Sequence, residues 1–299
     1  MDMLKISGLK KCFGEKEVLK GLNLAVPKHS VFGFIGQNGA GKTTTMKVIL
    51  GLLKADAGEI FVAGEKMVYG QTKTNRHIGY LPDVPEFYSY MNPAEYLRFC
   101  GEITGMEKRE IKLRSEELLE LVGLTGEKHQ IRGFSRGMKQ RLGIAQALFH
   151  RPKLLICDEP TSALDPVGRK EILDILQNAK EETTILFSTH ILSDVERICT
   201  QIACLNDGKV AFQGRMSDIR EKHSSHGFRL ELEREEDVRR LSEIFKVERK
   251  EADTHLIFQG KEEELYSVIK YISDYKIPFV KIERIEPTLE SLFLEVVGR

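Results

Sequence analysis

The sequence predicts an α/β protein, with a mostly parallel sheet covered on both faces by helices and a small α+β unit behind it. Three observations carry that reading. Residues 31–35 (Val-Phe-Gly-Phe-Ile), 153–157 (Lys-Leu-Leu-Ile-Cys) and 184–188 (Thr-Ile-Leu-Phe-Ser) are short, largely apolar runs, as central strands buried from both sides require. Helical patterns lie between them, with Met46, Ile49, Leu50 and Leu53 recurring at i, i+3, i+4 and i+7. From Phe228 onward the period changes to the alternation of half-exposed strands. Buried strands alternating with helices give a parallel sheet, and the later change of period marks a second unit.

The first buried strand runs into Gly36-Gln37-Asn38-Gly39-Ala40-Gly41-Lys42-Thr43, which fits G-x-x-x-x-G-K-[ST]. A helix is expected over residues 44–53, so strand, loop, lysine, hydroxyl and helix stand in the order phosphate binding needs. Glycines let the backbone curl until its N–H groups converge on phosphate oxygens. The helix N-terminus adds a partial positive charge of roughly half an elementary charge. Candidate contacts to ATP are Gly36, Asn38, Gly39, Ala40, Gly41, Lys42, Thr43 and Thr44. Lys42 is placed for the β- and γ-phosphates, and the Thr43 hydroxyl for Mg²⁺.

The second buried strand ends in two carboxylates, Asp158 and Glu159, followed by Pro160. At the C-terminal edge of a parallel sheet they face the ligand crevice. Asp158 suits a contact to the Mg²⁺ shell, and Glu159 suits a general base that orients water toward the γ-phosphate.

Between these strands, residues 93–149 read as a helical insertion, with charge-rich helical patterns at 95–100 and 110–122. Residues 220–229, with Ser224, Ser225 and Gly227, read as a linker. The tail then predicts a strand at 228–232, a helix at 236–245, a strand at 255–258, a helix at 262–275, a strand at 279–285 and a helix at 289–297. The expected domains are 1–220, with a helical subdomain at about 85–150, then a linker at 221–227 and an α+β domain at 228–299.

Composition narrows the function classes. Of the 299 residues, 41% are hydrophobic and 30% charged, so a packed core is expected rather than disorder. Lys+Arg and Asp+Glu balance at 45 each, which leaves no global field pointing to nucleic acid. The five cysteines are odd in number and lack zinc-finger spacing, as expected for reduced thiols in a cytosolic protein. The N-terminus lacks a secretory pattern, and no stretch approaches the ~20 apolar residues that cross a bilayer. A soluble chain is expected, and any membrane role must come through a partner.

With these motifs in place, the chain resembles the ATPase subunit of an ABC transporter from Leu4 to about Gly214. Residues 134–141 (Phe-Ser-Arg-Gly-Met-Lys-Gln-Arg) resemble the family signature that begins Leu-Ser-Gly-Gly-Gln. Ser162-Ala163-Leu164-Asp165 matches the D-loop, His190 the switch histidine, and Phe13 sits where an aromatic stacks on adenine. The resemblance implies a P-loop NTPase fold with a RecA-like core, an antiparallel β subdomain and the helical insertion. It also implies a head-to-tail pair of ATPase subunits, identical or paralogous, bound to a transmembrane permease at the cytoplasmic face of the membrane. Ser135 and Gly137 of one subunit then close over the γ-phosphate held by the other, and hydrolysis, with Glu159 and His190 as the catalytic residues, releases the pair. The minor readings are a plain helix cap for Ser135, a satisfied core histidine for His190, in place of contact with the γ-phosphate or its water, and a core aromatic for Phe13.

Two departures from the family pattern stand out. Where the family has a glutamine that touches Mg²⁺ and senses the permease, this chain has Asp83; metal contact and a coupling role are the expectations for it. In the signature, Arg136 and Met138 replace the usual glycine and glutamine, while Gly137 is kept. This form resembles the subgroup partnered with ABC-2-type permeases, which are mostly exporters. Pro287-Thr288-Leu289-Glu290-Ser291-Leu292-Phe293 resembles a C-terminal motif of that subgroup, with an ordinary capped amphipathic helix as the lesser reading. Residues 85–91 place aromatics, with Phe87 foremost, where a permease helix is expected to dock; core packing is the other reading. Importer subunits with extra domains often carry a β-rich tail, and non-transport cassettes of this family usually carry paired phosphate loops or coiled coils. Neither matches this chain, so an exporter ATPase is the expectation.

Overall fold

The computed structural model describes residues 2–71, 73–222, 227–249, 254–259, 262–285, 289–290 and 292–293. The chain divides into two compact units, Met1–Met216 and Ser217–Arg299.

The first unit opens with a hairpin of β1 (Asp2–Phe13) and β2 (Lys16–Pro27), followed by β3 (Val31–Gly36) and α1 (Lys42–Ile49). Then come β4 (Ala57–Val62), β5 (Glu65–Lys66) and β6 (Ile78–Leu81). Three helices form the insertion: α2 (Pro93–Ile103), α3 (Lys108–Leu121) and α4 (Arg136–Leu148). The α/β pattern resumes with β7 (Leu154–Asp158), α5 (Pro166–Ala179), β8 (Thr184–Thr189), α6 (Leu192–Ile198), β9 (Gln201–Asn206) and β10 (Lys209–Arg215).

Two sheets result. One is antiparallel, in the order β2-β1-β4-β5. The other runs β10-β9-β3-β8-β7-β6, parallel except where β10 pairs antiparallel with β9. Every residue of β3, β7 and β8 is buried, which is why these strands are apolar on both faces. One hydrophobic cluster joins Leu4, Ile6 and Leu24 of the antiparallel sheet to Phe32 and Phe34 of β3, Met46 and Ile49 of α1, and Ile156 of β7. Each such side chain contributes about 1.5–3 kcal/mol on burial. The strand before the phosphate loop and the helix after it are therefore both anchored in the core.

α1 starts at Lys42, two residues before the sequence expectation, and stops at Ile49 rather than 53. Gly51, at φ 71°, turns the chain there, and Leu53 packs against the core beyond the helix. α2 begins with a reciprocal cap: the Asn92 side chain accepts from the Glu95 N–H at 3.0 Å, and the Glu95 carboxylate accepts from the Asn92 N–H at 2.9 Å.

The second unit contains β11 (Gly227–Leu232), α8 (Glu235–Ile244), β12 (Glu248–Arg249), β13 (His255–Gln259), α9 (Glu262–Asp274) and β14 (Phe279–Ile285). α7 (Met216–Lys222) spans the division between the units. The sheet is antiparallel in the order β12-β13-β11-β14. Phe228, Leu230, Leu256 and Phe258 pack with Val238 and Leu241 of α8 and Val268 and Ile272 of α9. The intervening residues carry charge, as in the Arg229–Glu283 pair at 3.1 Å. α7 and β11 take up both ends of the expected linker, because Met216 and Ile219 are buried and Gly227 is already paired with Gln259. Of the expected helix at 289–297, residues 289, 290, 292 and 293 are helical, and Leu289 and Leu292 are buried. Pro287, Thr288, Ser291 and residues 294–297 lie outside the described residues. Among the described residues, no helix is long and apolar enough to cross a membrane.

All five cysteines are free thiols. Burial pushes the Cys204 thiol up to about 12 despite nearby Lys42, and it pushes Cys157 and Cys199 up further. Cys12 is exposed. Thiolate is the reactive form, so iodoacetamide will alkylate Cys12 at least about tenfold faster than the three buried thiols. Peptide mass spectrometry of the native protein reads this directly, and equal labelling would contradict the packing described here.

Candidate functional site

Parallel register gathers the functional residues at one sheet edge. Ile35 of β3 lies beside Thr189 of β8, Ser188 beside Asp158 of β7, and Cys157 beside Leu81 of β6. The residues that follow these strand ends are the glycine-rich loop, His190, Glu159 and Asp83. They therefore emerge on the C-terminal side of the sheet, where α/β proteins bind ligands.

The loop is fixed by its glycines and by Lys42. Gly41 has φ 112°, and a Cβ there would lie 2.8 Å from the Leu19 Cδ2, so both backbone and space require glycine. Lys42, the first residue of α1, is buried, and its ammonium donates to the Gly36 carbonyl at 2.8 Å and the Gln37 carbonyl at 3.4 Å. A cation at a helix N-terminus opposes the helix dipole; the two carbonyls and Glu159 Oε1, 3.4 Å away, offset this. Asn38 and Gly39 are exposed, and Ala40 and Thr44 are half-buried.

The Thr43 hydroxyl donates to Asp158 Oδ2 at 2.9 Å. The other carboxylate oxygen of Asp158, itself buried, accepts from the Ser188 hydroxyl at 2.7 Å. This hydroxyl–carboxylate pair is an all-oxygen donor set. Among the described residues no group of three or more His, Cys, Asp or Glu could cage a metal alone. Magnesium fits such a site, because it takes one or two protein oxygens and fills its shell with phosphate and water.

Glu159 has φ 49°, an uncommon backbone for a residue with a side chain. Its N–H donates to the Ser188 carbonyl at 3.0 Å. One carboxylate oxygen faces Lys42, and the other meets His190 Nδ1 at 2.8 Å. The structure thus brings Lys42, Thr43, Asp158, Glu159 and His190 into one polar cluster. His190 is exposed, so it is no core histidine. Burial, with the Asp158 and Asp83 carboxylates nearby, pushes the Tyr80 hydroxyl up to about 12 and keeps it neutral beside this cluster.

Other predicted residues lie elsewhere. The Ser135 hydroxyl accepts from the Met138 N–H at 3.2 Å and caps α4, with Gly137 in the first turn. Its bond thus falls within its own helix. Phe13 ends β1 half-exposed, with the Lys11 ammonium 5.5 Å from its ring centroid, so it is not a core aromatic. Asp83 Oδ1 accepts from the Ser162 hydroxyl at 2.6 Å and from the Arg136 guanidinium at 3.1 Å. Phe87 is half-buried and packs edge-on against Tyr96 at 5.0 Å; Tyr88 and Tyr90 are the exposed aromatics of that segment. The sequence reading missed Ser188, one of three buried hydroxyl residues in β8 with Thr184 and Thr189.

Comparison with known proteins bears on this cluster. Residues 19–162 match the family model described as ABC transporter, and residues 214–297 match the model described as ATP-binding protein DrrA1-3-like, C-terminal domain. The chain is 35% identical to the bacitracin transport ATP-binding protein BcrA of Bacillus licheniformis, over 99% of this chain and 97% of that protein. The chain belongs to the ABC transporter ATP-binding proteins. It is also 32% identical to the linearmycin resistance ATP-binding protein LnrL of Bacillus subtilis, over 99% of each chain. Among solved structures it resembles an ATP-binding subunit of an ABC transporter, with TM-score 0.67, 32% identity, and coverage of 74% of this chain and 92% of that one. As an ABC cassette it binds ATP and hydrolyses it to drive transport. It works as one of two ATPase subunits on a membrane permease.

Proposed function

We propose that this cassette binds Mg·ATP and powers an ABC-2-type exporter from the cytoplasmic face of the membrane. The observation that carries the exporter reading is the full-length similarity to proteins named for bacitracin transport and linearmycin resistance, tail included. In this reading the loop from Gly36 to Thr44 cradles the triphosphate, Lys42 meets the β- and γ-phosphates, and Phe13 stacks on the adenine. Thr43 and Asp158 hold magnesium, which when bound neutralises phosphate charge. Glu159 accepts a proton from the attacking water, and His190 orients the Glu159 carboxylate. Ser135 and Gly137 close over the γ-phosphate held by the second subunit. ATP affinity is higher in the closed pair, so binding shifts the population toward closure and hydrolysis reverses it.

Tyr88 and Tyr90 are 49% and 63% exposed, and they are the surface we assign to the permease. The test is purification of the tagged chain from native membranes in mild detergent. An integral membrane protein of the ABC-2 type will co-purify. The double substitution Tyr88→Glu, Tyr90→Glu will lower its recovery at least about tenfold, as loss of an aromatic anchor does. ATP binding by the cassette will be unchanged. Recovery of an importer permease, or of nucleic acid with no membrane protein, would overturn the reading.

A further inference from the structure

Asp83 and Arg136 are two of the positions at which this chain departs from its family pattern, and the structure pairs them. Arg136 Nη2 donates to Asp83 Oδ1 at 3.1 Å and to Ser162 Oγ at 3.0 Å, and the Ser162 hydroxyl donates to the same Asp83 oxygen at 2.6 Å. The three groups form a closed triangle. Each corner belongs to a different part of the fold: the segment after β6, the first turn of α4, and the turn after β7.

Two further contacts give the triangle direction. The Ser162 N–H donates to the Glu159 carbonyl at 3.1 Å, so one turn of chain connects the triangle to Glu159. Glu159 holds a backbone conformation at φ 49° that persists only when its surroundings hold it. On the other side, Gln140, one turn along α4 from Arg136, donates to the Asp83 carbonyl at 2.6 Å. Farther along the same helix, a Cβ on Gly143 would lie 2.6 Å from Leu81 and 3.3 Å from Pro85. α4 is thus laid closely along residues 81–85, and the triangle locks its N-terminal end.

We propose that Arg136, Asp83 and Ser162 act together as positioning residues for Glu159, holding its turn through the Asp83–Arg136 ion pair. The inference rests on the proposed role of Glu159. Asp83 then serves hydrolysis through Ser162 rather than through a metal. The side chains of Arg136 and Asp83 are 42% and 49% exposed, so an exposed pair of this kind adds little to global stability. Its effect falls on the turn it holds.

The test is a charge swap in the full-length chain, with Mg·ATP turnover measured in detergent-purified transporter. Asp83→Arg and Arg136→Asp will each lower kcat by about threefold to thirtyfold, the range for residues coupled in one network. KM for ATP will change less than about twofold, since the phosphate loop is untouched. Asp83→Arg with Arg136→Asp will recover most of the lost kcat. Single variants with wild-type kcat, a change confined to KM, or a double variant no faster than the slower single would each overturn the proposal. Lys42→Ala run alongside separates the two levels: if it remains active, the reading of the site itself fails, and if it is inactive while both singles turn over normally, only the triangle fails.

Discussion

Lys42→Ala will bind ATP at least about a hundredfold more weakly and lose turnover by a similar or larger factor, the scale on which a preorganised donor to a reacting phosphate or oxyanion counts. The melting temperature of the nucleotide-free protein will not fall. Lys42 is buried at the N-terminus of α1, where the helix dipole opposes a cation. Its offsets there, among the described residues, are two loop carbonyls and the Glu159 carboxylate. Such a residue is kept for its ligand at a cost to the empty protein. The wild-type protein will gain about 2.7 kcal/mol of stability at a hundred times the dissociation constant of Mg·ATP, and the variant at most about 0.4 kcal/mol at the same concentration. Thermal denaturation with and without Mg·ATP reads both effects. A variant that melts lower when empty yet retains the nucleotide shift would place Lys42 in the structure rather than the site.

What the sequence made legible follows the range of the interactions involved. β3, β7 and β8 were visible because burial on both faces leaves a short, largely apolar run. The phosphate loop was visible because strand, glycines, lysine and helix are consecutive. Ser135 was visible as a cap because its bond spans three residues. β1 and β2 went unassigned: their half-exposed faces carry lysine, glutamate and asparagine, and two of the positions where their register shifts break the alternation. The Asp83–Arg136 pairing could not be read at all. Those residues are 53 apart in sequence, and each appeared only as a separate departure from the family pattern. Their partnership exists because α4 lies along the segment that follows β6. At the expected linker, residues 223–226 lie outside the described residues, and only its ends are seen, where α7 runs to Lys222 and β11 starts at Gly227.

Glu159→Gln will lower ATP turnover by about 10²–10⁴-fold, the usual contribution of a positioned base, and leave ATP bound. Glutamine keeps the length of the side chain and an oxygen that accepts from the His190 N–H, so the geometry of the turn survives. What changes is basicity and charge. The loss of a carboxylate 3.4 Å from Lys42 frees that ammonium for phosphate and removes a like charge from the neighbourhood of the triphosphate. ATP affinity therefore stays level or rises while hydrolysis stops, and the closed pair accumulates. Size-exclusion chromatography with Mg·ATP will show a dimer for Glu159→Gln under conditions where the wild-type chain is largely monomeric. The competing role for Glu159, as no more than the ion-pair partner of Lys42, predicts the opposite division: turnover close to normal, with any penalty in stability or affinity. Wild-type turnover in the variant would therefore remove Glu159 as the base. The triangle that holds its turn would then lose its assigned purpose as well.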